Sequence, residues 1–96
     1  MDLKEIRKEI DTVDDELIKL FKKRMELSAQ VAEYKIKNHL PVYVPSREQE
    51  ILLDVANKVG PELSEYASKL YTVIFELSRN YQIMKIAAKS NTEEMI

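Results

Sequence analysis

The sequence contains no cysteine, no tryptophan, one glycine and a single histidine. Without cysteine the chain can form neither a disulfide bond nor a thiolate nucleophile, and one histidine cannot supply an imidazole cluster for a metal ion. We therefore expect no metal site. One glycine and three prolines also allow few turns, which favours an all-α fold.

The chain also lacks a marked excess of either charge and any long apolar run. Its 15 lysines and arginines against 17 aspartates and glutamates give a net charge of -2, which argues against general affinity for nucleic acid or for an anionic membrane surface. No apolar run approaches the roughly 18 residues of a membrane span, and the N-terminal MDLKEIRKEI is charged rather than a signal-peptide core. We expect a cytoplasmic protein that binds neither nucleic acid nor membrane.

A long first helix is predicted by apolar residues that recur every three or four positions. Asp2 with Glu5 forms a capping box at its start, nothing breaks it before residue 38, and Pro41 follows its end. Residues 3–38 would span about 54 Å, whereas a compact domain of this length is about 32 Å across. One chain cannot cover such a helix, so a second copy is expected.

A short second helix and a long third helix follow. Ser46 with Gln49 forms a second capping box, after a proline-bracketed connection over residues 40–45. The Gly60-Pro61 pair ends the short helix and starts the third, whose apolar residues keep the same spacing to about Lys89. We expect one domain over residues 1–90 and a frayed C-terminal tail over residues 91–96.

Two cations share the apolar face of the first helix. At about 100° per residue, Lys35 returns to within about 20° of Arg24, with Ser28 in the row between them. Buried cations of this kind indicate an anion site. The alternatives are an internal ion pair with Glu26 or Glu33, or long side chains that reach out of an interface.

Five further residues are candidates for a binding site: Arg7, Arg47, Glu48, Ser78 and Gln82. Arginine is used at only four positions, and its guanidinium grips carboxylates with two parallel hydrogen bonds. Arg7 lies about 26 Å before Arg24 along a straight helix, so both cannot grip one small molecule from a single chain. Each candidate also has a plain interpretation, as a surface residue, a solvated first turn or a polar pair beside the core. We treat His39, beside a proline, as structural.

Five motifs in order carry a family resemblance: IRKEI, KKRMEL, EYK, SREQEILL and ELSRNYQ. Together, over residues 3 to about 85, they resemble the all-helical chorismate mutases of the AroQ type, in their bacterial dimeric class. The resemblance implies two chains intertwined into a helical homodimer with two equivalent active sites. It also implies the pericyclic rearrangement of chorismate, a dianionic small molecule, to prephenate in phenylalanine and tyrosine biosynthesis, with no metal and no organic cofactor.

The resemblance also implies how the substrate is bound. Arg24 and the partner subunit's Arg7 would hold the two substrate carboxylates. Arg47 would add positive potential, and Ser78 would contribute a hydroxyl contact. The borrowed arginine would account for the distance between Arg7 and Arg24.

The same resemblance implies which groups face the reacting atoms. Lys35 and Gln82 would donate to the ether oxygen, where negative charge grows as the C–O bond breaks. Glu48 would accept from the ring hydroxyl, a task shared with a backbone N–H near Val44. Many relatives have an acidic residue in place of Val44.

Two other functions remain open on the sequence alone. Isochorismate-pyruvate lyases look similar and use a related cationic pocket to cleave a different bond. A non-enzymatic helical dimerisation module would also use the same apolar stripes, with the cations paired internally.

Overall fold

The computed structural model describes residues 1–95, with side chains described for residues 1–89. The chain forms three helices, α1 Leu3–Asn38, α2 Pro45–Val59 and α3 Ser64–Met95, and residues 1–95 contain no strand. The predicted all-α fold with a long, a short and a long helix is confirmed. The molecule measures 60 × 28 × 15 Å with a radius of gyration of 17.3 Å, against about 12.5 Å for a compact domain of this length.

Helix α1 begins and ends where the sequence predicts. Asp2 is the N-cap, and its Oδ1 accepts a hydrogen bond of 2.8 Å from the backbone N–H of Glu5. At the other end His39 adopts the left-handed conformation, with φ 54° and ψ 44°. The backbone N–H of Leu40 then donates to the Lys35 carbonyl at 3.0 Å. These bonds satisfy backbone groups that a helix end leaves without partners.

The predicted capping box at the start of α2 is wrong. The N-cap is Val44, which makes no side-chain cap, and Pro45 is the first helical residue. Proline suits this position because its φ is already helical and its missing N–H would have had no partner. Arg47 and Glu48 still lie in the first turn, where their N–H groups donate to the Val44 carbonyl at 3.1 and 3.3 Å.

Helix α3 differs from its prediction at both ends. Gly60, with φ 83°, ends α2, and a turn over residues 61–63 delays the start of α3 from Pro61 to Ser64. The helix continues to Met95 instead of ending near Lys89. The predicted frayed tail over residues 91–96 lies outside the residues whose side chains are described.

The core of one chain is small and lies where α3 packs against the C-terminal half of α1 and against α2. Ala32 and Phe75 are its buried apolar residues within the described side chains. By contrast, every residue from 1 to 23 is exposed, including the apolar stripe of Ile6, Ile10, Val13, Leu17 and Leu20. The accessible surface is 7928 Å², against about 5,700 Å² for a compact monomer of this mass. A single chain therefore leaves the first half of α1 uncovered.

Two negative findings bear on function. In residues 1–95, no helix is both long and apolar enough to cross a membrane. Among the same described residues, no three acidic or histidine side chains cluster in a way that could hold a metal ion.

The left-handed conformation of His39 predicts a stabilising substitution. We expect His39→Gly to raise the free energy of unfolding by about 0.5–1 kcal/mol, because a Cβ is disfavoured in this region and glycine has none. His39→Ala keeps the Cβ and should give no such gain. Denaturant unfolding at a fixed protein concentration measures both variants, and equal stability of the two would show that this cap conformation is not kept in solution.

Candidate active site

A cavity of about 480 Å³ opens between the C-terminal half of α1, the first turn of α2 and the middle of α3. Its volume is in the usual range for small-molecule sites. Six of the seven predicted site residues line it: Arg24, Lys35, Arg47, Glu48, Ser78 and Gln82. Apolar side chains, among them Val31, Val42, Ile51 and Phe75, form the rest of its wall.

Arg24 and Lys35 lie on one wall of the cavity, as their spacing predicts. Both are half-buried. The Arg24 guanidinium stacks 6.0 Å from the centre of the Phe75 ring. Across the described side chains, neither cation forms an ion pair with Glu26 or Glu33. The internal ion pair considered from the sequence is therefore not formed.

Lys35 is held by two dipolar partners. Its Nζ donates to the Val42 carbonyl at 2.8 Å and to Gln82 Oε1 at 3.2 Å. Burial lowers the pKa of Lys35 from its usual 10.5, and the negative charge of Glu48 partly opposes this. An ammonium group has three N–H donors, so one remains for a ligand.

A chain of buried hydrogen bonds fixes Gln82. Its Nε2 donates to Ser78 Oγ at 3.3 Å, and Ser78 Oγ shares a bond of 2.7 Å with Ser28 Oγ. With Oε1 accepting from Lys35, the amide is oriented from both sides and keeps one N–H unused. The sequence analysis assigned no role to Ser28. Its position one helical turn after Arg24 was the signal that could have placed it in the site.

Glu48 is bound by a residue that the sequence analysis missed. Arg79 Nη1 lies 2.6 Å from Glu48 Oε1 and 2.5 Å from Oε2. This bond raises the pKa of Arg79. The guanidinium also stacks on the Tyr43 ring, at 4.9 Å from its centre. Arg79 is one of the four arginines and lies three residues before Gln82, a spacing that puts both on one side of α3.

The remaining two arginines are not engaged in the cavity. Arg47 lines it, but its Nη1 donates to Glu50 Oε1 at 3.1 Å, and both side chains are largely exposed. Its present contact is thus that of a solvated first turn. Arg7 lies on the exposed half of α1 and does not line the cavity. One chain therefore brings together every predicted site residue except Arg7.

Comparisons with known proteins agree with this arrangement. The family model for chorismate mutase type II matches residues 6–83. The chain is 48% identical over 50 residues to the bifunctional chorismate mutase/prephenate dehydratase of Aquifex aeolicus, covering 52% of this chain and 14% of that protein. It is 35% identical over 80 residues to the protein of the same name from Buchnera aphidicola, covering 80% of this chain and 20% of that protein.

A shorter relative is the chorismate mutase of Methanocaldococcus jannaschii, 43% identical over 49 residues, with 51% of this chain and 50% of that protein covered. The chain thus spans half or less of the length of these curated relatives. No solved structure matches it. Because the family model extends from α1 through the cavity-lining part of α3, the chain belongs to the chorismate mutase type II family.

Proposed function

We propose that this chain is a cytoplasmic chorismate mutase, an isomerase that converts chorismate to prephenate for phenylalanine and tyrosine synthesis. The observation that carries the proposal is the pair Arg24 and Lys35, two half-buried cations that line a cavity of ligand size and form no ion pair with a carboxylate among the side chains of residues 1–89. Half-buried cations without counterions are costly in a folded protein. A dianionic substrate would supply the missing charge.

The first contribution to rate would be conformational. Arg24 and the partner subunit's Arg7 would each bind one substrate carboxylate, with Arg47 turning from Glu50 towards the ligand. Clamping both carboxylates holds the substrate in the compact conformer in which the reacting carbons meet. Holding the substrate in this conformer removes part of the entropic cost of reaching the transition state, and it needs no covalent bond to the protein.

The second contribution would be electrostatic. As the ether C–O bond breaks and the new C–C bond forms, negative charge grows on the ether oxygen. The unused N–H groups of Lys35 and Gln82 would donate to it, and both side chains are already oriented by Val42 and Ser78. Preorganised donors favour the charged transition state over the ground state. All bonds change within one molecule, so this mechanism uses no metal or organic cofactor.

The ring hydroxyl would be bound between the first turn of α2 and α3, where Glu48 and Arg79 pair. Glu48 would accept its hydrogen bond, since a carboxylate has about four lone-pair sites and Arg79 occupies two of them. The backbone near Val44, which also lines the cavity, would contribute an N–H. Ser78 would act both as a hydroxyl contact and as the support of Gln82.

We further propose an intertwined homodimer with shared sites. The exposed apolar stripe on the first half of α1 supports it, because stable monomers rarely leave so large a patch in water. The same half of the helix carries Arg7. A second copy that covers the stripe would therefore bring an arginine of the required chemistry.

A chorismate assay tests the function directly. We expect the protein to consume chorismate and to form a product that acid converts to phenylpyruvate. Lys35→Ala should lower kcat about 10²–10³-fold, as for other lost transition-state donors. Lys37→Ala removes an exposed lysine two residues further on and should leave kcat unchanged. Consumption of isochorismate alone would favour the lyase, and consumption of neither would favour a dimerisation module.

The chemistry of Lys35 and Gln82 predicts a pH profile. Gln82 does not titrate, so kcat/KM should stay nearly flat from about pH 5 to 8. Deprotonation of Lys35 would remove its charge and the third N–H that is left for the ether oxygen, and burial lowers the pKa of this group. Activity should therefore fall as pH rises through a value below 10.5. In Gln82→Glu the carboxyl donates only when protonated, so activity should fall as pH rises near neutrality. A steep loss in the parent protein between pH 5 and 8 would contradict this assignment.

Subunit complementation tests the shared site. Arg7→Ala and Arg24→Ala should each inactivate their own homodimer. When the two are unfolded together and refolded, about half the dimers are mixed and each has one intact site of two, so activity should recover to about a quarter. Mixing without unfolding is the control and should restore little. Confirmed mixed dimers without activity would show that Arg7 does not cross the interface.

A further inference from the structure

Arg79 joins three parts of the site, and no step above requires it to touch substrate. It projects from α3, pairs with Glu48 in the first turn of α2, and stacks on Tyr43 in the loop after α1. The Arg79 and Glu48 side chains are 31% and 22% exposed. An ion pair this sheltered, with one Nη1 shared by two carboxylate oxygens, is stronger than a surface pair.

Glu48 is a potential competitor of the substrate for the cations of the cavity. It is the one carboxylate among the described residues that line the cavity, and the same cavity contains Arg24 and Lys35. Glu48 is close enough to Lys35 for its charge to act on the ammonium. A carboxylate without a partner at this place would pair with the nearest cation and fill the anion site from within.

We propose that Arg79 is a positioning residue that holds the Glu48 carboxylate at the α3 side of the cavity, so that Lys35 and Arg24 keep their donors for the substrate. Glu48 remains able to accept from the ring hydroxyl. The identity of the substrate in this proposal depends on the proposed function, whereas the Arg79–Glu48 geometry does not.

The Tyr43 contact extends the same role to the loop. Val42, one residue before Tyr43, provides the carbonyl that accepts from Lys35 at 2.8 Å. Arg79 thus secures Lys35 in two ways, by restraining the carboxylate that would pair with it and by packing on the loop that supports it.

A double-mutant cycle tests the proposal. Arg79→Met should raise KM for chorismate about tenfold with a smaller change in kcat, because freed Glu48 competes for the cations and is displaced at saturation. Arg79→Lys keeps a cation beside Glu48 and should recover most of the affinity. In a Glu48→Gln background, where no charge competes, Arg79→Met should change KM less than about threefold.

Whether the effects of the two substitutions on KM are additive distinguishes this role of Arg79 from other roles. An equal loss in both backgrounds would mean that Arg79 binds substrate directly or only supports the fold, and either result overturns the proposal. Lys85→Met is the matched control, because Lys85 is a second α3 cation stacked on a tyrosine, Tyr81, outside the cavity. It should leave KM unchanged. Thermal unfolding of each variant checks that the fold is kept.

A ligand-free measurement separates this inference from the proposed function. NMR titration of labelled lysine should show a higher pKa for Lys35 in Arg79→Met than in the parent, because the freed carboxylate favours the ammonium form. The same comparison in the Glu48→Gln background, Arg79→Met/Glu48→Gln against Glu48→Gln, should show no such rise. An unchanged Lys35 pKa in Arg79→Met would overturn the role of Arg79 even if chorismate is consumed. If chorismate is not consumed, the titration still decides it.

Discussion

The length of α1 is the constraint on which the rest of the molecule depends. A helix of 36 residues in a chain of 96 is covered by the two helices that remain only along its C-terminal part, and residues 1–23 are exposed. Helix α3 packs against the C-terminal half of α1, and this junction contains the small core around Ala32 and Phe75 as well as the cavity. The N-terminal half is left with its apolar stripe in water. The division of one helix into a covered and an uncovered half separates Arg24 from Arg7.

The charge of the half-buried Lys35 is stabilised in the cavity by groups that do not neutralise it. Lys35 is held by a backbone carbonyl and an amide oxygen, which stabilise its charge but do not cancel it. The one carboxylate among the described lining residues is paired with Arg79. Positive potential therefore stays directed at the cavity. Cations kept without a neutralising partner reduce stability in general, which is a common cost of a preorganised site.

Sequence reasoning succeeded where a single helix decides the geometry. The Asp2 cap and the end of α1 follow from local hydrogen bonds, and the shared face of Arg24 and Lys35 follows from the turn angle alone. It failed at the start of α2, where Pro45 outweighed the predicted Ser46 cap. Arg79 was missed for another reason. Its partner Glu48 is 31 positions away on a different helix, and helical periodicity does not predict which side chains meet across two helices.

The proposed dimer must also tolerate added charge. Arg7 from a partner would enter a cavity that already contains four cationic side chains and one carboxylate. At the effective dielectric of a protein surface, repulsion between two such cations a few ångströms apart is about 3–4 kcal/mol. The surface beyond that of a compact monomer is about 2,200 Å² per chain, and burying its apolar part against a second copy would favour association. Burial of the apolar stripe would oppose this repulsion. In the proposed dimer, Arg7 would lie beside the other cations until a dianion neutralises them, so the contact that stabilises the dimer would also complete the site.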